Sequence, residues 1–440
     1  MIKNSEKQTL YLAEKIAKAK GADETSIGFS QSRDVSVEYR DDAIEKLTES
    51  TSQSLWIEIY ANGRYSSHST NDIKKEALSK FIENAVDMTK YLEEDKFRKL
   101  PNPDRYKGQT QKELDLYDAS LEKLTPETRI ANAKALVDEL KGKDKRTISI
   151  SSSFSDSQYY SRILKSNGFE GEREGSSVVH GASISLADEN DKKAEGWGYY
   201  RARHLNDLVD VPTTTAEALV RAQDSIGREK VETGLYPMLF ENRSAGGILW
   251  RILGALRGSA IQQKTSFLDG LKGENIASEL LSIMDNPHIV RGLGSKIYDD
   301  DGFATKPMPV ITNGVLNNYY IDDYYGRKLD MEPTTGGTSN LEFGLGKRDG
   351  SAIEKDLDKG ILVTEFLGGN ANGTTGDYSL GVAGWLIENG KRTKAVGEMN
   401  ISGNLKDLLM NLIEVGNDPW IHSSFRSPAL LFDKISFSGN

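Results

Sequence analysis

The chain has 440 residues, of which 37% are hydrophobic and 28% are charged, and its formal net charge is −10. This length favours two or three domains, and the composition is typical of a globular protein rather than a disordered or fibrous one. The chain has no cysteine, which excludes disulfides, iron–sulfur clusters, thiolate zinc sites and a cysteine nucleophile. The negative charge disfavours direct binding to nucleic acid, because neutralising phosphates requires a surface locally rich in Lys and Arg.

The sequence also disfavours a membrane or secreted location. No apolar run approaches the ~18 residues needed to cross a bilayer. The first segment, MIKNSEKQTLYLAEKIAKAKGA, lacks the apolar core and the small-residue cleavage site of a secretory signal. We therefore expect a cytoplasmic protein with no membrane partner.

The first predicted domain, residues 1–100, has the pattern of a helix, several strands and a second helix. Apolar residues recur at helical spacing from Leu10 to Ala17. Alternating apolar residues then predict strands, with a hairpin turn at Asn62-Gly63. Asn71 or Asp72 is expected to start the second helix.

The second predicted domain, residues 101–227, begins with a linker or surface crossover, LPNPDRYKGQTQKELD. Thr125 followed by Pro126 predicts a helix that runs to about Lys141. Serine-rich strands are expected over residues 146–204. Thr213 or Thr214 is then expected to cap a further helix.

The third predicted domain, residues 228–440, is rich in strand patterns. The apolar stretch 244–263, SAGGILWRILGALRGSAIQQ, predicts one buried helix. Asn-Gly pairs then separate strand-like segments, and NLKDLLMNLIEVG predicts a last helix. Together the three regions predict an α+β fold, in which N-terminal α/β units are followed by a β-rich C-terminal domain.

Titratable residues that could form a metal site are scattered through the chain. The five histidines are too far apart for two to share a helix face, as they do in HExxH zinc motifs, so we expect structural roles for them. The acidic run 299–302, DDDG, lacks the ligand spacing of a calcium loop and is predicted to be a solvated turn. One alternative stays open, a peptidase with an unfamiliar metal site built from His180, His204, His288 or His422 with Asp299 to Asp301.

Two glycine- and threonine-rich segments are longer than minimal turns: EPTTGGTSNLEFG (332–344) and GGNANGTTGDYSLG (368–381). Such loops let a peptide approach the backbone closely, although they also occur as ordinary connections between strands. If they line a substrate chamber, the residues near a bound peptide are Gly336, Gly337, Thr338, Asn372, Gly376, Asp377 and Tyr378.

Several segments, taken in order, resemble the TldD/TldE (PmbA) family, whose members are named as modulators of DNA gyrase and classed with metallopeptidases. The resemblance covers nearly the whole chain. Its main segments are AKAKGADETSIGFSQSRDVSVEYRD, YPMLFENRSAGGILWRILGALRGSAIQQKTSFL, DDDGFATKPMPVITNGVLNNYYIDDYYGRKL and TTGDYSLGVAGWLIENGK.

The resemblance implies that zinc chemistry has been lost from this chain. TldD-type members carry HExxxH on the central helix and a cysteine near the C-terminus, whereas residues 248–255 here read ILWRILGA and the C-terminal stretch contains no cysteine. The chain thus resembles the TldE/PmbA branch. This implies no catalytic residue and no metal ligand in this chain, with zinc expected only in a TldD-type partner.

The resemblance further implies a role as the non-metal subunit of a heterodimeric peptidase that acts on unfolded or flexible peptides. On this reading the chain is inactive by itself. The alternative is a homodimeric peptide-binding or regulatory protein, in the manner of a gyrase modulator, without catalytic activity.

Overall fold

The structure is a computed structural model that describes residues 5–439, without the side chains of Ser5 and Asn190. Its strands form three sheets. No helix within residues 5–439 is both long enough and apolar enough to cross a membrane.

The N-terminal sheet is antiparallel and has the strand order β3-β2-β1-β4-β5-β6. Its strands are β1 (Glu24–Arg40), β2 (Ala43–Ala61), β3 (Arg64–Thr70), β4 (Thr147–Lys165), β5 (Phe169–Ala187) and β6 (Lys193–Ala202). β1 pairs with β4 from Ser26↔Lys165 to Arg40↔Ser151. Strands from both sides of the boundary predicted at residue 100 therefore share one sheet, and the boundary itself stays a prediction.

Four helices cover one face of this sheet: α1 (Ser5–Lys20), α2 (Lys75–Thr89), α3 (Pro126–Leu140) and α4 (Val211–Asp224). In β1, Ile27 and Phe29 are buried with α1 and α2, and Val37 is buried with α3. These positions differ by even numbers, so their side chains lie on the same face. The opposite face of the sheet is not covered by these helices and faces the C-terminal region.

Two of the predicted helix starts are wrong. Asp72 accepts a hydrogen bond from the backbone N–H of Lys74 (3.2 Å), in a turn that precedes α2. The cap of α4 is Asp210, which accepts from the N–H of Thr213 (2.7 Å). The predicted start at Thr125 is confirmed, because its hydroxyl accepts from the N–H of Thr128 (3.2 Å).

The C-terminal region contains the other two sheets. One has the order β10-β9-β8-β11-β16 and consists of β8 (Ile283–Asn286), β9 (Met308–Thr312), β10 (Val315–Leu316), β11 (Asn340–Phe343) and β16 (Phe425–Arg426). The other has the order β14-β13-β12-β7-β17-β15 and consists of β7 (Gly234–Phe240), β12 (Lys359–Ala371), β13 (Asp377–Glu388), β14 (Lys391–Asn404), β15 (Leu412–Val415) and β17 (Leu430–Ser438). Because β14 also pairs with β17, five of these strands form a closed ring.

The helices of this region are short: α5 (Gly246–Ala255), α6 (Gly258–Gln262), α7 (Asp323–Leu329), α8 (Gly350–Lys355) and α9 (Leu405–Met410). The prediction of one helix over residues 244–263 is wrong, since Arg257 is extended (φ −76°, ψ 141°) and its backbone bridges to Tyr320. The last predicted helix also ends early, and the chain continues as β15. The turns at Asn313-Gly314 and Asn389-Gly390 are confirmed, with positive φ at each residue.

The apolar face of α5, the central helix of the chain, packs into the C-terminal core. The buried residues of this face are Ile248, Leu249, Ile252, Leu253 and Leu256. The predicted α+β architecture with a β-rich C-terminal region is confirmed.

Candidate functional site

The central helix α5 carries no imidazole, carboxylate or thiol. Its exposed side presents Trp250, whose side chain is 55% exposed and lies 5.9 Å from the ring of Phe425. The Arg251 guanidinium donates a hydrogen bond to the carbonyl of Gly247 in the same helix. Zinc requires neutral imidazole, thiolate or carboxylate ligands, so the residues of α5 do not fit a zinc ion.

The histidines considered for an unfamiliar metal site have separate partners. His180 is buried against the Thr214 hydroxyl (2.9 Å), and His288 lies 3.2 Å from the Thr305 hydroxyl. His204 contacts the carbonyl of Asp115 (2.9 Å), and the ring of His422 packs on Tyr200. Among residues 5–439, no group of three or more His, Asp or Glu residues is arranged to hold a metal ion.

The first glycine-rich segment closes one side of a cavity of about 490 Å³. Gly337 lines this cavity, and the carbonyl of Thr338 accepts a hydrogen bond from Lys296 Nζ (3.2 Å). Gly336 instead packs close to Asp322. The predicted residues of this segment thus lie at or beside a cavity wall.

The second glycine-rich segment forms the tip of the β12–β13 hairpin and satisfies its own polar groups. The side chain of Asn372 accepts from the N–H groups of Thr374 and Thr375 (2.9 and 3.3 Å). Asp377 accepts from the Thr375 hydroxyl (2.7 Å) and from the side chain of Asn404 (3.0 Å).

Contacts outside the hairpin fix this tip in place. Gly376 has a φ of +85°, a region that favours glycine, and lies beside the ring of Phe267. The N–H of Phe267 donates to the carbonyl of Gly373 (2.8 Å), and Tyr378 is buried. The tip therefore packs on Phe267 through Gly373 and Gly376, whereas in the first segment Gly337 lines the cavity.

Three elements meet around the cavity. The linker contributes Arg105, which forms an ion pair with Glu332 and lies 5.2 Å from the ring of Phe303. The acidic loop that follows residue 298 and the first glycine-rich segment form other walls. A volume of this size is typical of a small-molecule site.

Two buried carboxylates line the cavity, and the first, Asp285 on β8, is fully hydrogen-bonded. It accepts from the N–H and the hydroxyl of Ser339 and from the Tyr320 hydroxyl (2.9 Å). Burial raises the pKa of Asp285, while its hydrogen bonds and the charge of Lys296 oppose that shift.

The second carboxylate, Asp299, is only half satisfied. It is 2% exposed, and its Oδ1 accepts from the N–H groups of Asp301 (3.0 Å) and Phe303 (2.9 Å). Its Oδ2 has no hydrogen-bond partner among the described residues. Burial and the neighbouring charge of Asp301 raise the pKa of Asp299 to about 6.

The acidic run therefore differs from the predicted solvated turn. Asp300 is 96% exposed at its side chain, as expected, but Asp299 points inward. The sequence signalled neither this burial nor the roles of Asp285 and Lys296, because each depends on segments that are distant in sequence.

A second cavity, of about 570 Å³, lies between the open face of the N-terminal sheet and the C-terminal region. The sheet contributes Trp56 and Tyr60 to its wall. The Arg98 guanidinium lies over the rings of Tyr65 (4.3 Å) and Tyr324 (3.6 Å), joining the two regions at its edge. The fold thus encloses space on the side of the sheet that the helices leave uncovered.

Comparison with known proteins gives a match to one family along the chain. Residues 26–89, 119–226 and 233–439 match, in order, PmbA/TldA metallopeptidase domain 1, the central domain and the C-terminal domain of that family. The chain is 27% identical to metalloprotease PmbA of Escherichia coli O157:H7, over 95% of this chain and 93% of that one.

Solved structures give the same result. One solved crystal structure is that of a Bacteroides thetaiotaomicron VPI-5482 protein named as a modulator of DNA gyrase, which shares 38% sequence identity with this chain. The two structures have a TM-score of 0.97, and the match covers both chains in full. TldE from Thermococcus kodakarensis has a TM-score of 0.86 at 21% identity, covers 98% of this chain and 100% of its own, and supports the fold alone. The chain belongs to the PmbA/TldD metallopeptidase family.

Proposed function

We propose that this chain is the non-metal subunit of a cytoplasmic peptidase of the TldD/TldE type and is inactive by itself. The observation that carries the proposal is the central helix, which in this member of a metallopeptidase family holds only apolar residues, Trp250, Arg251 and glycines. A hydrolytic zinc site needs ligands for the ion and a base for its water. The proposal assigns both to a TldD-type partner.

The subunit's own contribution is to bind flexible peptides. The first glycine-rich segment supports this role, because Gly337 lines a cavity and a Cβ atom placed there would meet no other atom within 4 Å. On the same proposal, a bound peptide also lies along the hairpin tip, beside Asn372, Gly376, Asp377 and Tyr378. Binding through backbone hydrogen bonds would depend weakly on the side chains of the peptide.

The proposal is tested by purifying this chain, a TldD-type protein with intact HExxxH from the same genome, and their mixture. Each sample is assayed against a flexible unfolded peptide. We expect the two chains to co-purify, the mixture to cleave, and this chain alone to be inactive. The control is the same mixture with the HExxxH glutamate of the partner replaced by glutamine, which should not cleave.

A homodimeric binding or regulatory protein is the alternative outcome of the same experiment. It would be indicated by a dimer of this chain that binds peptide and does not associate with the TldD-type protein. Cleavage by this chain alone would contradict both assignments.

A further inference from the structure

The Oδ2 atom of Asp299 is an unusual feature in the wall of a cavity. The side chain is 98% buried, yet this oxygen accepts no hydrogen bond from the described residues. The Thr335 hydroxyl lies close enough to Asp299 to lower its pKa, but it donates its hydrogen bond to the carbonyl of Gly337 (3.3 Å). A buried carboxylate oxygen without a donor is costly, because the water that solvated it has been lost.

The charges around the cavity leave one buried carboxylate without its own cation. Asp285 and Asp299 are both buried, and Lys296 is the cation that faces both of them. The other basic residues of the wall are already paired or exposed. Arg105 pairs with Glu332, Lys107 pairs with Asp104 (2.6 Å), and Lys306 is exposed to solvent.

The cavity, of about 490 Å³, is also large enough for an organic group. Its wall includes apolar atoms of Phe303, Pro307, Met308 and Pro333 beside the carboxylates. A bare metal ion would find a single free carboxylate oxygen here, whereas hard cations favour six or more oxygen ligands. An alkylammonium group supplies N–H donors, a compensating charge and an apolar chain.

We propose that this cavity binds a primary ammonium group, with Asp299 Oδ2 as its acceptor and with the attached alkyl or peptide chain along the apolar wall. The group belongs either to the amino terminus of a flexible peptide or to a free small amine. Binding of a peptide amino terminus rests on the proposed function and specifies which end of the peptide this chain holds. The binding of a free amine does not depend on it.

The direct test is calorimetric titration of the full chain with n-butylamine, and with n-butanol as the uncharged probe of the same length. A lysine-free flexible peptide and its N-acetylated form are then tested as competitors of butylamine. We expect butylamine to bind and butanol to bind at least about ten-fold more weakly, because a charged donor to a buried carboxylate adds affinity.

Asp299→Asn is the matched substitution, because the Asn carbonyl oxygen can still accept from the N–H groups of Asp301 and Phe303 while an amide nitrogen replaces Oδ2. We expect butylamine affinity to fall about ten-fold or more. Asp300→Asn makes the same charge change at an exposed neighbour and should leave the affinity unchanged. Gly337→Leu adds an apolar side chain at the cavity wall without changing any charge and should also weaken binding, so the test does not depend on the folding of one variant.

Competition by the free peptide but not by the acetylated one identifies a peptide amino terminus as the source. Butylamine binding without competition by the free peptide identifies a free small amine as the ligand, and it supports the proposed ammonium site as well. The proposal is overturned if butylamine does not bind, if butanol binds as tightly, or if Asp299→Asn and Gly337→Leu both bind like the unsubstituted chain. Association with a TldD-type protein is measured independently, so failure here leaves the subunit assignment standing.

Discussion

At the scale of single residues, a buried ion pair joins a helix to a strand in the N-terminal half. The Arg129 guanidinium donates to both oxygens of Asp156 (2.6 and 2.9 Å), and each side chain is 1% exposed. Arg129 also donates to the carbonyl of Leu124. The pair therefore joins α3 to β4 and satisfies the charge of both partners.

We expect Asp156→Ala to lower the free energy of unfolding by about 3–5 kcal/mol, because it leaves a buried guanidinium without its counter-charge. Urea unfolding measures the change. Asp138→Ala is the control, since it breaks the exposed pair with Lys134 and should cost less than about 1 kcal/mol. Equal losses of unfolding free energy in the two variants would contradict the conclusion that the buried ion pair stabilises the fold more than the exposed one.

Asp299 should make stability depend on pH in the direction opposite to an ordinary salt-bridged carboxylate. Its pKa is about 6 in the folded chain and near 3.8 when unfolded, because burial and Asp301 favour the neutral acid more than Lys296 opposes it. The folded state thus holds the proton more tightly. The resulting stability is complete below the unfolded pKa and is lost as pH rises through about 6.

Asp299→Asn removes this titration. We expect the free energy of unfolding of the variant, relative to the unsubstituted chain, to rise by about 2 kcal/mol between pH 4 and pH 7. Urea unfolding of both proteins across that range provides the measurement. A constant difference at all pH values would show that the carboxyl does not titrate as described.

At the scale of elements, close backbone packing joins α4 to the edge of the N-terminal sheet. A Cβ on Gly196 of β6 would lie 2.0 Å from the backbone nitrogen of Ala222, and one on Gly198 would lie 2.3 Å from the carbonyl oxygen of Thr214. Both positions require glycine because the atoms opposite belong to the helix backbone. The sequence of β6 therefore sets how near the helix can lie.

Gly196→Ala should lower the free energy of unfolding by about 1–3 kcal/mol or more, because the helix must move away from the strand. Gly254→Ala is the matched control, since a Cβ there meets nothing within 4 Å and the residue lies in α5. The control should be neutral or stabilising by up to about 1 kcal/mol. Chemical unfolding of both variants measures these changes. An unchanged free energy of unfolding in Gly196→Ala would contradict the close packing of α4 on β6.

Local sequence patterns predicted the elements best where local chemistry decides them. Thr125 with Pro126 marked the start of α3, and Asn389-Gly390 marked a hairpin, because caps and tight turns depend on a few adjacent residues. The break at Arg257 was missed because it depends on pairing with Tyr320, which is distant in sequence. For the same reason the sequence showed Asp299 as acidic but not as buried.

At the scale of the whole molecule, the fold packs the apolar side of the central helix into a β-rich core. One face of the N-terminal sheet encloses a cavity together with the C-terminal region. The apolar side of α5 is buried with strands of both C-terminal sheets. Its remaining side chains include Trp250 and Arg251 but no group that binds zinc. The chain thus retains the family architecture, and the proposed function assigns the chemistry of hydrolysis to a partner chain.

The most direct test of this account is the zinc content of the purified full chain after incubation with zinc and removal of unbound metal. A TldD-type protein with intact HExxxH, treated in the same way, is the positive control. We predict far less than one zinc ion per chain for this protein and close to one for the control. One tightly held zinc ion per chain in this protein would contradict the account.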